Sequence, residues 1–391
     1  MQVYNRAITN RLLNQLYNND FYNISSSYVF KTTEEILNPY SLKPIAFYLP
    51  QFYPTEINNI NWGKGFTEWN NVARAIPQYY GHYQPHIPEC FGYYDLRNFS
   101  IMEEQSQLAK EYGIFGFCFY YYFFKGETQL EYPIKNFCQN INNSFPFCLC
   151  WANENWTRKW DGKSTEILLE QTYEPHYMKL FIEKVSRYMV MDNYIRINKK
   201  PILIIYNAQS IVNLVSTIEQ WRKYCRDKGI GDIFLVCAQT FGLENHIDII
   251  KQFDACVEFP PHAIYLKNRV DYSTLTNINF QGKVYHIKDY IDTIEDNSAY
   301  PLFRCAFPSW DNTSRVMQYA KIFSDACPDT FRIWLDKIVH CTIKEHLPES
   351  RFFFINAWNE WGEGAHLEPD RKYGYAFLDV LRNSLKQENI Q

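Results

Sequence analysis

The chain reads as an α/β protein, a single (β/α)8 TIM barrel. Short apolar runs recur eight times along its 391 residues, and the later ones alternate with helical segments. Each run turns polar or aromatic at its C-terminal end. Strand–helix alternation implies a parallel sheet, eight such units imply a closed barrel, and that fold keeps its active site where the strands end. The expected division is a helical lead-in over 1–42 and one catalytic barrel over 43–385. A long loop after the first strand covers the mouth.

The first strand is PIAFYLPQFY (Pro44 to Tyr53), apolar until Gln51. The loop that follows runs to about Leu96, and loops of that length inside a compact domain are usually functional. It carries Trp62, Lys64, Glu68, Trp69, His82, Gln84 and His86. His82 and His86 have the spacing of a helical metal pair, but Pro85 opposes a helix there, which favours hydrogen bonding to a ligand or to the loop itself. Gly63-Lys64-Gly65 and Gly162-Lys163-Ser164 hint at phosphate loops, but neither hint survives, and in the second Thr157 stands where the motif needs glycine.

A helix over Asn98 to Tyr112 leads to strands at Ile114 to Phe124 and Phe145 to Trp156. A helix (Glu174 to Met191) and strand (Pro201 to Asn207) follow, then a helix (Ile211 to Lys228) and strand (Ile233 to Thr240). The helix Glu244 to Gln252 precedes a strand at Asp254 to Pro261. An irregular stretch to about Ala299 precedes Pro301 to Asp311, and two helical segments lead to the last strand from Arg351. The strand ends bring Tyr48, Gln51, Tyr121, Trp151, Asn153, Glu154, Trp156, Asn207, Trp310, Asn356 and Trp358 toward one mouth as candidate substrate contacts. Trp62, Lys64, Glu68, Trp69 and His86 join them from the loop. Glu258 could reach the mouth or form a buried ion pair.

The last strand, RFFFINAWNEWGEGAHLEPD (Arg351 to Asp370), alternates with period two until Gly362 and Gly364 break it. Glu360 and Glu363 stand three apart beside Trp358 and Trp361. Two carboxyls against aromatic surface can be driven to different pKa values, one kept as an acid and one as a base. Cleavage of a glycosidic bond needs that division, and tryptophans serve as platforms for sugar rings. A solvated turn would rarely mix charged and aromatic residues in this way.

Lys plus Arg is 39 and Asp plus Glu is 43, for a net charge of −4, and no basic stripe is present to suggest nucleic acid. Aromatics are 18% of residues, which suits carbohydrate grooves and also an AT-rich genome. The eleven cysteines are odd in number and mostly sit in apolar runs, as reduced thiols do in a cytosolic protein. Cys148 and Cys150 lack a second ligand pair, so no metal and no cofactor is expected. The N-terminus has no signal-peptide run and no stretch reaches membrane-helix length, so the expected location is cytoplasmic.

YLPQFYP, WGKGFTEWNNV, GHYQPHIP, GYYDLR, GIFGFCFYYYFF, WANENWTRKWDG and NAWNEWGEGAHLEPD together resemble the WbsX-like family, which is similar to glycoside hydrolase family 99. The matches run from Tyr48 to Asp370. The resemblance implies a metal-independent (β/α)8 enzyme linked to bacterial surface polysaccharides such as O-antigen and capsule. It implies that Glu360 deprotonates the sugar 2-hydroxyl, and that Glu363 protonates the leaving oxygen and later activates water. Retention would then pass through a 1,2-anhydro sugar. The WGKGFTEW and WANENW segments belong to the WbsX-like group, so mannose specificity is not carried over. The resulting expectation is a retaining, endo-acting glycoside hydrolase acting on an oligosaccharide or polysaccharide. A glycosyltransferase and a silent glycan-binding protein are the alternatives. The chain has no Asp-x-Asp for a metal-dependent transferase, and binding alone has no need of two acids beside tryptophans.

Overall fold

The computed structural model describes residues 24–139, 144–158 and 163–386. Its core is built from β1 (Lys43–Tyr48), β2 (Gly116–Phe124), β3 (Phe147–Trp151), β4 (Lys200–Ile205), β5 (Phe234–Ala238) and β6 (Ala255–Val257). β7 follows in two pieces, Leu302–Phe303 and Cys305–Ala306, and then β8 (Phe352–Ile355). Neighbours pair in parallel, with registers such as Ile45↔Gly116, Leu203↔Leu235 and Ile45↔Phe354. The first piece of β7 lies against β6 and the second against β8, so the sheet returns on itself as a nearly closed barrel. Arg304, between the pieces, pairs with Glu258 at 3.0 Å and Glu345 at 2.7 Å. Of its two sequence readings, Glu258 therefore takes the buried ion pair.

The strands are buried on both faces, as parallel strands must be when a barrel interior and a helix layer cover them. Ile202 to Ile205 have no exposed surface at all. Gly116 is a glycine because a Cβ there would meet the Pro146 carbonyl oxygen at 2.5 Å, between β2 and the start of β3. The outer layer contains α3 (Phe99–Glu111), α4 (Glu131–Gln139), α5 (Pro175–Met189), α6 (Leu214–Asp227) and a short α7 (Ile247–Ile250). Short α8 (Lys288–Ile291) and α9 (Thr313–Val316) precede α10 (Pro328–Glu345) and α11 (Ala376–Leu385). Asn98 caps α3 by accepting from the Ser100 N–H, and Trp221 ties α6 to α5 through the Met178 carbonyl at 2.9 Å. Among the described residues no helix is long and apolar enough to cross a membrane.

Three local expectations change. Of the helical lead-in, residues 1–23 lie outside the described residues, while 24–42 hold no helix and pair Val29 with Gly374. The long segment after β1 contains two helices, α1 (Glu56–Trp62) and α2 (Glu68–Arg74), capped by Thr55 and Thr67. These fold over the C-terminal ends of the strands, where Gln51 bonds Glu68 at 2.8 Å. The stretch between β2 and β3, for which no element was expected, forms α4, with Pro133 in its first turn.

Candidate active site

Beyond β8, Asn359–Glu360 pairs back on Ala365–His366, and a single 3-10 turn, Trp361–Glu363, joins them. In such a turn residues three apart eclipse one another, which brings Glu360 and Glu363 to one side. Gly364 closes the turn with φ +59°, a left-handed conformation that suits glycine.

Arg315 on α9 reaches both acids and a third. Its Nη2 is 2.8 Å from Glu360 Oε2, its Nη1 2.6 Å from Glu363 Oε1, and its Nε 2.9 Å from Glu68 Oε1. Gly362 allows this approach, because a Cβ there would strike the Glu68 carboxylate and the Arg315 guanidinium. Burial works against the Arg315 charge, but the three carboxylates outweigh it and hold the guanidinium firmly protonated. One cation against three acids leaves surplus negative charge. Burial, reinforced by Glu363 and Glu68 and opposed by Arg315, pushes Glu360 up to about 8.

The turn is fixed from behind. The Asp311 N–H donates to the Glu363 carbonyl at 2.7 Å, and Ser314 Oγ donates to that of Gly362 at 2.6 Å. The Asp311 carboxylate bonds His82 at 2.5 Å and accepts from Gln84 at 2.7 Å. Burial raises its pKa, yet His82 and the other donors overcome this and leave it at about 2. Glu368 accepts from Tyr94, Gln105 and Trp361; burial still lifts it to about 7.

These groups face a cleft of about 510 Å³. Its wall holds Glu360 and Glu363 together with Gln51, Trp62, Glu154, Trp156 and Trp310 from the expected contacts. The remaining expected contacts lie elsewhere. Tyr48 and Tyr121 face the helix layer, bonded to Gln105 and Glu131, and Trp151 stacks on Phe181 of α5. Strand alternation sends Tyr120 and Tyr122 into the cleft in place of Tyr121. Asn153 and Asn207 join the ends of β3 and β4, the Asn153 side chain bonding the Asn207 backbone at 2.7 and 2.8 Å. Asn356 is buried, bonded to Tyr120 and to the Pro260 carbonyl. Trp358 packs on Phe117 and Trp361 on His366, so neither is a platform. Trp69 is buried against Phe52 and Tyr94, and Glu68 lies fully buried behind Arg315. His86 is buried against His366, and Lys64 is exposed.

Tyr206, Phe259, His262, Arg315 and Lys321 also line the cleft and were not singled out from sequence. Arg315 and Lys321 carry no local motif; the polar strand end Trp310-Asp311 just before them is their one signal. Among the described residues, His86, His366 and Asp370 are spaced so that they could hold a metal ion. The ring nitrogens of the two histidines are 2.8 Å apart, and His366 Nδ1 faces the Glu368 carbonyl at 2.9 Å. Burial lowers both pKa values, His86 to about 4, which fits a hydrogen-bonded chain of neutral rings.

A family model described as Glycosyltransferase WbsX matches residues 44–381. Proteins from two strains of Xanthomonas campestris pv. campestris, both named "Uncharacterized protein WxcX", are 43% identical over 343 residues. That match covers 87% of this chain and 49% of theirs, so the chain spans about half the length of these relatives. A solved "Glycoside hydrolase-like protein" superposes with TM-score 0.58 at 14% identity, covering 94% of this chain and 99% of that one. The GH99 endo-alpha-mannosidase from Bacteroides thetaiotaomicron superposes with TM-score 0.50 at 11% identity, covering 87% and 95%. At these identities the likeness is one of fold.

Proposed function

Since the chain belongs to the Glycosyltransferase WbsX family, we propose that it is a carbohydrate-active enzyme with a hydrolase's chemistry. It acts as a retaining, endo-acting glycoside hydrolase on a bacterial surface polysaccharide or its lipid-linked intermediate. One observation carries this reading: two carboxyls on a single turn, gripped by one arginine, in the wall of a cleft with aromatic rings. Trp62, Trp156 and Trp310 supply apolar faces suited to sugar rings.

Glu360 takes the proton of the 2-hydroxyl as that oxygen attacks the anomeric carbon, and Glu363 gives a proton to the departing glycosidic oxygen. The 1,2-anhydro sugar then opens at the anomeric carbon to a water deprotonated by Glu363, while Glu360 returns its proton to O2. Before substrate arrives, burial keeps the Glu360 carboxyl protonated at neutral pH. A 2-hydroxyl donating to Glu360 stabilises its ionised form and displaces that proton toward Glu363. Arg315 is a positioning residue that fixes both carboxyls without taking a proton.

The test is incubation with the surface polysaccharide of the source organism and analysis of the products by mass. Hydrolysis gives shorter chains with one water added per cut, and the label enters from ¹⁸O water. A chelator leaves the rate unchanged. Chains lengthened from an activated sugar donor, with no water incorporated, would instead establish the transferase reading that the family's description favours.

A further inference from the structure

Lys321 opens the short strand Lys321–Phe323, which pairs in parallel with Lys283–Tyr285. Its own N–H donates to Asn312 Oδ1 at 2.7 Å, so it is anchored to the turn that supplies Arg315. The side chain is half-buried and lines the cleft. Its ammonium donates to the Pro261 carbonyl at 3.1 Å and stands 5.6 Å from the Tyr285 ring centre and 5.4 Å from that of Phe323.

The contrast with Arg315 is one of charge balance. Arg315 is surrounded by three carboxylates, whereas among the described residues no carboxylate pairs with Lys321. Burial and the neighbouring Lys283 both act against its charge and lower it to about 8, so it remains a cation at neutral pH. An ammonium has three donors, and the Pro261 carbonyl uses one. A desolvated cation with no counter-ion is unfavourable by itself, and an anion brought by a ligand would offset that cost through charge-assisted hydrogen bonds.

We infer that Lys321 selects glycans bearing an acidic substituent, a carboxylate or a phosphate monoester, next to the sugar held in the cleft. This rests on the carbohydrate reading above and adds a substrate class to it.

The experiment is an array of oligosaccharides matched in three forms: neutral hexose, hexuronic acid and hexose 6-phosphate. The wild-type chain is expected to bind an acidic form over the neutral one. Lys321→Met, which keeps the stem and removes the charge, should lower the acidic-to-neutral ratio by about ten- to a hundredfold, the range of a charge-assisted hydrogen bond. Lys321→Arg should restore it. Lys321→Gln repeats the measurement should the Met variant fold poorly, as read from its thermal midpoint. The form that loses the preference, uronate or phosphate, identifies the anion. Equal wild-type binding of neutral and acidic forms, or a preference that survives loss of the charge, overturns the inference and leaves the carbohydrate reading standing. Binding to none of the three overturns both.

Discussion

Arg315 holds Glu68, Glu360 and Glu363 together although all three would otherwise repel. Its replacement by Met leaves three crowded acids without a counter-ion and should cost about 3–5 kcal/mol of stability, measured by denaturant unfolding. Glu68→Gln in that background should recover part of the loss; no recovery would mean the contacts are not coupled. At the acids themselves, Glu363→Gln should reduce turnover of poor leaving groups by roughly 10²- to 10⁴-fold while sparing activated aryl glycosides. Glu360→Gln should reduce both, because deprotonation of the 2-hydroxyl is needed whatever leaves. The reaction needs one proton on the two acids, and Glu360 holds it until about pH 8, so kcat/KM should fall as pH rises through about 8. A rate that climbs through the same interval would reverse that assignment.

Among the elements, the turn after β8 depends on what it lacks. Gly362→Ala would push a methyl group into the Glu68–Arg315 contact, so kcat/KM should drop at least about tenfold while circular dichroism stays native. Unchanged kinetics would show that this contact does not set the acids' positions. All eight strands were legible because each is an apolar run ending in polar residues, and the acid pair was legible because it interrupts the last one. Which tyrosine of Tyr120, Tyr121 and Tyr122 faces the cleft was not, since that depends on sheet register, and a shift of one residue inverts every face. Trp358 and Trp361 misled for a related reason. The chain beyond β8 folds back on itself and turns both rings inward, an event decided by tertiary packing. Arg315 was hidden because α9 is a single turn in irregular backbone, too short for any periodic signature.

For the whole molecule, burial leaves a signature in the pH dependence of stability. Glu360, Glu368 and Asp370 are raised to about 8, 7 and 6, so each holds its proton more tightly folded than unfolded. Their contribution is complete below the ordinary carboxyl value and is lost as pH rises through the raised ones. His86 and His366 are lowered, and they remove stability only as pH falls below 6.5. Between pH 6.5 and 8 the loss from the acids outweighs the opposite, smaller effect of Lys321, whose lowered pKa begins to add stability as pH nears 8, so unfolding free energy should decline by about 1–2 kcal/mol, and Glu368→Gln should flatten that slope. A flat profile in the wild type would contradict the burial of these acids. The closure of the barrel sets a different constraint, on the order of manufacture. β1 finds its second neighbour only in β8, paired Lys43↔Phe352, and the cleft takes Gln51 from just after β1 and Glu363 from just after β8. While the ribosome works through everything between, the outer edge of β1 stands open to any strand that passes, and the two acids do not yet exist. A nascent chain is therefore adhesive before it is active, and the arrival of β8 and the turn beyond it makes it both quiet and competent at one stroke.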